Sequence, residues 1–230
     1  MQFEINKNLA KNNLAVQNLS AENLSQKRDE VFEEINNFFT LNLEQKKSLE
    51  TYVSSVLTEN TKFNFIGKST IDDIWHRHIL DSAQLIKFID NPQRKFADLG
   101  SGAGLPGMVL SILGLKEIHL IEKSFRKADF LRRNKNISKN KIYVHQAKLE
   151  ELNQILFDCI MSRALAPLVK LLEYCQKFLS PEGYCLFLKG KNLANEINLA
   201  KQQFQFGYEL FESITAQDSR IIKINNIKKL

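Results

Sequence analysis

The chain has 230 residues, 43% of them hydrophobic and 25% charged, which fits a globular domain with room for an appendage. Thirty-two Lys and Arg against 26 Asp and Glu leave a net charge of +6, compatible with either a merely solvated surface or a polyanionic partner. No apolar run approaches bilayer length, and Met1 to Lys7 lack a signal-peptide core, so neither a membrane nor a secreted protein is expected. Cys159, Cys175 and Cys185 are odd in number and have neither metal nor C-x-x-C spacing. They point to thiols in a reducing cytoplasm and to no metal site.

Residues 1–25 are rich in Asn, Lys and Gln, show no firm period, and are taken as a leader. A helix is expected from Arg28 to Phe39, where Val31, Ile35 and Phe38 fall at helical spacing. A second follows the N-cap Asn42, with the stripe Leu49, Tyr52, Val53, Val56 and Leu57. Thr70-Ile71-Asp72-Asp73 resembles a capping box with Asp in place of Glu, and should open a helix running to about Phe88. That helix gathers His76, Arg77, His78 and Asp81. Two apart, the histidines do not share a helix face, so a structural or substrate-shaping role is expected rather than a zinc pair. Residues 26–91 thus read as a helical cap on a main domain at 92–230.

From Lys95 onward, strand-like and helix-like runs alternate. Strands are expected at Lys95–Leu99, Glu117–Glu122, Ile142–His145, Phe157–Met161 and Tyr184–Leu188. Helices are expected at Pro106–Leu113, Ser124–Asn134, Leu168–Leu179 and Leu193–Gln203, with Ser180-Pro181-Glu182-Gly183 stopping the third. Two last strands, near Phe206–Ile214 and Arg220–Ile224, suggest an antiparallel hairpin that closes the sheet.

The first strand ends in Asp98-Leu99-Gly100-Ser101-Gly102-Ala103-Gly104-Leu105-Pro106-Gly107. Glycines allow a sharp turn and a close approach of ligand to backbone, and Pro106 suits a helix start. Gly102-x-Gly104-x-x-Gly107, with Glu122 20 residues beyond Gly102, formally satisfies the dinucleotide fingerprint. Asp98-x-Gly100-x-Gly102-x-Gly104 instead resembles motif I of the class I S-adenosylmethionine-dependent methyltransferases. That resemblance implies a Rossmann-like, doubly wound, mostly parallel seven-stranded sheet with an antiparallel terminal strand. It also implies a glycine turn against the methionine moiety and ribose hydroxyls on Glu122. The polar residues Asp98, Glu122, Glu150, Arg163 and Lys189 all fall at strand carboxyl ends, where such sheets bind ligands.

After strand four the chain reads Ser162-Arg163-Ala164-Leu165, not the Asn/Asp-Pro-Pro-aromatic run of many amino-group methyltransferases. No activated nucleophile is evident. An acceptor that owns an in-plane lone pair, such as guanine N7, needs only placement. Arg77-His78-Ile79-Leu80-Asp81-Ser82, the glycine turn ending in Pro106-Gly107, Phe130-Leu131-Arg132, Ser162-Arg163-Ala164 and Leu188-Lys189-Gly190 together resemble the signature blocks of the RsmG (GidB) family. The family resemblance implies N7-methylation of a guanine in the 530 loop of 16S ribosomal RNA (position 527 in standard bacterial numbering), with S-adenosylmethionine as cofactor. The alternative is a class I methyltransferase with a protein or small-molecule acceptor.

Carried over by position, cofactor contacts fall on Gly100, Leu105, Leu149, Glu150 and Arg163, beside the motif residues Asp98, Gly102, Gly104 and Glu122. Catalysis is by positioning, with Arg163 and Lys189 as candidates. RNA contacts are expected from Arg126, Lys127, Lys148, Lys189 and Arg220, in a monomer that acts on 16S RNA or the small ribosomal subunit. For the basic run 123–135 a simple solvated face remains equally open. Lys148 stands where an Arg is expected, and Phe65-Ile66 replaces the usual Leu-Thr after Asn64.

Overall fold

The computed structural model describes residues 22–230. Its centre is a seven-stranded sheet of order β3-β2-β1-β4-β5-β7-β6. The strands are β1 (Lys95–Leu99), β2 (Glu117–Ile121), β3 (Lys141–His145), β4 (Phe157–Arg163), β5 (Leu179–Lys189), β6 (Phe204–Glu212) and β7 (Arg220–Lys229). Strands β1 to β5 pair in parallel, and β7 runs antiparallel to both neighbours, β5 and β6.

Alternation along the strands sends successive side chains to two apolar layers. One layer takes Phe96, Ile118, Leu120, Met161 and Leu186. It packs them beneath α1 (22–36), α2 (Leu43–Asn60), α4 (Gly107–Leu113) and α5 (Phe125–Asn134). The other takes Ala97, Leu99, Ile160, Phe187 and Ile222 beneath α6 (Leu168–Phe178) and α7 (Leu193–Lys201). Asn42 caps α2 through a reciprocal box with Gln45, and the Gln45 amide also reaches the Leu113 carbonyl at the end of α4. The N-terminal helices therefore share a core with the sheet.

Three expectations change. Residues 22–25 already belong to α1, and Leu24 packs on the core, so the leader yields its last residues to the helix; residues 1–21 lie outside the described residues. The helix expected from Ile71 is a composite: 3-10 at Lys68–Asp73, π at Trp75–Leu80, one α turn (α3, Asp81–Ala83), then 3-10 at Gln84–Phe88. The Thr70 side chain forms no capping box; its hydroxyl donates to the Gly67 carbonyl. Strand five begins at Leu179, which pairs with Phe157. Tyr184 pairs with Cys159, so Ser180-Pro181-Glu182-Gly183 are extruded opposite a single residue, Asp158. The helix has already ended at Phe178, before these four residues, which form a bulge inside the strand rather than the helix stop.

Candidate active site

All the candidate groups stand at the carboxyl ends of the parallel strands. The chain leaves β1 through a turn with Gly100 at φ +71° and Gly102 at φ +59°, the left-handed region that favours glycine. The Gly100 and Ser101 amides both donate to the Ile121 carbonyl, which ties the turn to β2. Glu122 completes it: one carboxylate oxygen accepts from Gly102 N at 2.9 Å, the other from Ser124 N at 2.7 Å. The two residues that the dinucleotide fingerprint spaces 20 apart are in direct contact.

Above the turn opens a cleft of about 330 Å³ lined by Gly100, Gly102, Glu122, Lys127, Lys148, Leu149 and Glu150, together with Leu165 and Tyr174. A Cβ on Gly100 would stand 2.5 Å from Leu165 Cδ1. Tyr174 donates its hydroxyl to Glu150 Oε1 at 2.5 Å, which lowers the Glu150 carboxyl below its ordinary value. Desolvation and the same contact push the tyrosine up to about 12. The Lys177 ammonium donates to the carbonyls of Glu150 and Leu152, holding the backbone of that wall. Nothing in the local sequence marks Leu165, Tyr174 or Lys177, because they arrive from two other elements.

Four of the residues expected to contact the cofactor, Asp98, Gly104, Leu105 and Arg163, do not line this cleft. Asp98 is fully buried beneath the turn, where its Oδ2 accepts from Gly107 N at 2.9 Å. Burial raises its pKa to about 7 against that hydrogen bond. Gly104 faces the helices instead, since a Cβ there would meet Met108 and Leu131. Leu105 packs on the core layer of the N-terminal helices.

A second hollow, of about 230 Å³, lies beyond β4 and β5, lined by Arg77, Asp81, Arg163, Lys189, Gly190 and Glu196 among others. Ala164, at φ +53°, lines both hollows and joins them. Arg163 therefore stands here rather than in the glycine-turn cleft. Its Nε pairs with Asp81 Oδ2 at 3.2 Å, and its Nη2 donates to His78 Nδ1 at 2.7 Å. Arginine has only donors, so His78 Nδ1 accepts and Nε2 carries the proton, donating to Thr70 Oγ1 at 2.8 Å. Burial, then the charges of Arg163 and Arg77, lower the His78 pKa to about 3 and keep it neutral. Asp81 Oδ1 in turn accepts from Thr215, so the hairpin fixes the carboxylate that pairs with the guanidinium.

Lys189 is tethered, donating to the Ala166 carbonyl at 3.0 Å and pairing with Glu196, which also accepts from Leu168 N. Arg220 is Lys189's register partner on β7 and donates to the Gln217 and Ser219 carbonyls on the rim of a neighbouring pocket. Lys148 pairs with Glu151 at 3.1 Å. Arg126 and Lys127 line a third hollow, and Lys127 borders the cofactor cleft as well. Among the described residues no group of three His, Cys, Asp or Glu is placed to hold a metal, and no helix is long and apolar enough to cross a membrane.

Among the described residues two buried side-chain atoms lack partners: Asp98 Oδ1 and Arg163 Nη1. An anionic acceptor and a cationic donor are what an amino-acid zwitterion requires, and Glu122 still has lone pairs for a diol. The residues thus suit S-adenosylmethionine. Sheet order, glycine turn and strand-end acid together define a class I methyltransferase.

Solved structures agree on the fold. A ribosomal protein L11 methylase from Lactobacillus delbrueckii subsp. bulgaricus superposes with a TM-score of 0.54 over 65% of this chain and 78% of its own, at 19% identity. The glycopeptide N-methyltransferase MtfA complexed with S-adenosylmethionine gives 0.51 over 63% and 92%, at 11% identity. The chain matches the family rRNA small subunit methyltransferase G (GidB) over residues 45–223, and it belongs to that family. Its relatives include the ribosomal RNA small subunit methyltransferase G of Rhodospirillum rubrum, 39% identical over 81% of this chain and 92% of that protein. The protein of the same name from Rickettsia rickettsii is 39% identical over 80% and 95%.

Proposed function

We propose that the protein transfers the methyl group of S-adenosylmethionine to N7 of a guanine in the 530 loop of 16S ribosomal RNA, in the cytoplasm. The observation that carries this reading is the junction at Ala164, where the glycine-turn cleft opens onto a guanidinium-lined hollow whose carboxylates are already engaged. Asp81 is held by Arg163 and Thr215, Glu196 by Lys189 and Leu168 N, and neutral His78 by Arg163 and Thr70. None is free to act as a general base. Guanine N7 needs none, because its in-plane lone pair is already an acceptor on the base edge.

When bound, the cofactor supplies an electrophilic methyl on a sulfonium. Transfer to N7 would leave the electron pair of the broken bond on sulfur and the positive charge on the guanine ring, so no residue of this chain would need to move a proton. The protein's part is orientation and exclusion of water. Glu122, preset by Gly102 and Ser124 amides, would take the ribose hydroxyls, and the Leu149–Glu150 wall would face the adenine. Asp98 and Arg163 would take the ammonium and carboxylate of the methionine end. Arg77 and Lys189 border the acceptor hollow, and Arg126, Lys127, Lys148 and Arg220 supply cations around it for phosphates.

The test is transfer from labelled S-adenosylmethionine to unmodified small-subunit RNA, with the product mapped by reduction and strand scission at N7-methylguanine. A single mark in the 530 loop is the expected result. Label only in protein or small molecules would move the enzyme to another acceptor.

A further inference from the structure

The third hollow, about 530 Å³, lies between residues 60–68 and the start of α5. Lys62, Lys68, Arg126 and Lys127 line it, and no carboxylate does. Among the described residues none of these four cations forms an ion pair. The nearby acids Glu59 and Asp129 are both engaged by Arg133. Four uncompensated charges in one concavity repel one another and raise the local concentration of anions.

A flat platform accompanies the charge. The Arg126 guanidinium carbon stands 4.4 Å from the Phe63 ring centroid, and that ring is 38% exposed. Phe125, between the lining residues Ser124 and Arg126 in the chain, is 66% exposed. Lys127 lines both this hollow and the cofactor cleft, so the two are contiguous.

We propose that this hollow is a docking subsite for an unpaired nucleotide of the RNA substrate, flanking the one that is methylated. Lys62, Lys68 and Lys127 hold the backbone phosphates, and the Phe63–Arg126 platform stacks the base. Duplex RNA would offer phosphates but no free base face, and an acidic peptide would leave the platform unused. Bases splayed from single-stranded loops use both. The inference rests on the reading of the substrate as RNA, and it adds Lys62, Phe63 and Lys68 to the interface.

The experiment measures binding of a labelled RNA hairpin carrying the unmodified 530 loop across a salt series, with S-adenosylmethionine affinity as the fold control. Lys62→Ala with Lys68→Ala is expected to weaken RNA binding about tenfold. It should also flatten the salt dependence by about 1.4, at roughly 0.7 per single-strand phosphate contact. Phe63→Ala is expected to weaken RNA binding about five- to hundredfold, the range for one stacked base, and Phe63→Tyr to restore it. Cofactor affinity should stay within about twofold throughout. Unchanged RNA affinity and salt slope in folded variants, or no binding of the hairpin by the wild type, overturns the subsite. Loss of binding to assembled small subunits alone would assign the hollow to a ribosomal protein instead. RNA binding without methyl transfer would leave the subsite standing and remove the proposed reaction.

Discussion

The two hollows that meet at Ala164 are built by opposite means. The cofactor cleft is made of backbone: Gly100 and Gly102 in left-handed conformations, amides on the Ile121 carbonyl, and one acid locking the turn. The turn and its acid lie within about one βαβ unit, although further lining comes from residues 147–150, Leu165 and Tyr174. The acceptor hollow is made of side chains drawn from residues 67–81, 163, 189–196 and 215, held by a chain of hydrogen bonds through His78 and Asp81. A local motif can announce the first; only the finished fold assembles the second.

The sharpest break falls on the backbone side. Gly100→Asp puts a Cβ into Leu165 and a second carboxylate into the cleft that Glu122 already occupies. Leu165 is flexible enough to move, so the chain folds, with about 1–2 kcal/mol of left-handed strain. S-adenosylmethionine affinity, read by calorimetry, should fall about a thousandfold or more, some ~4 kcal/mol.

That contrast also explains how much the sequence discloses. All seven strands are legible within a few residues at one end or the other, because short apolar runs, buried on both faces in β1, β2, β4 and β5, are local signals. Glu122 is legible too, since its spacing from Gly102 reflects a real hydrogen bond. Within the motif, Gly104 and Leu105 face the core of the N-terminal helices, while Asp98 spends one carboxylate oxygen on Gly107 N and leaves the other without a partner. The 68–88 segment escapes a sequence reading because stretches of about six residues do not separate periods of roughly 3.0, 3.6 and 4.4. His78 and Asp81, three residues apart on it, fall on one side and reach the same guanidinium.

On the side-chain half, Arg163→Lys keeps the charge and loses the fork. A single ammonium cannot replace both the Asp81 pair and the bond to His78 Nδ1. Turnover per cofactor bound should drop about a hundredfold, and an unpaired buried acceptor should cost about 1–3 kcal/mol of stability in urea unfolding. If Arg163→Lys instead left turnover intact, the relay would be scaffold only.

The relay also carries a pH signature of its own. His78 has an ordinary pKa of 6.5 and a folded value lowered to about 3. The unfolded chain therefore binds the extra proton between those values, and the stabilisation present above 6.5 is lost as pH falls toward 3. His78→Gln can still accept from Arg163 and donate to Thr70, but it does not titrate. The variant should gain on the wild type as pH drops, by up to about 2 kcal/mol at about pH 5, at roughly 1.4 kcal/mol per unit. Parallel unfolding curves from about pH 7 to 5 would show His78 charging freely in the fold.

The smallest effect tests the hinge between the two halves. Ala164 holds a left-handed φ of +53° with a Cβ, a conformation that costs an L-residue about 1–2 kcal/mol. Ala164→Gly removes that strain but frees the unfolded chain by about 0.4–1 kcal/mol, so stability should shift by no more than about 1 kcal/mol, toward the fold. Activity should move the other way. Arg163 and Leu165 flank this residue and face different hollows, one on the His78 relay and one over Gly100. A looser joint lets them move independently, so kcat should fall a few-fold while cofactor affinity holds. An Ala164→Gly variant both more stable and equally fast would mean that the alanine's strain aligns nothing, and that each half of the site is positioned by its own side of the sheet.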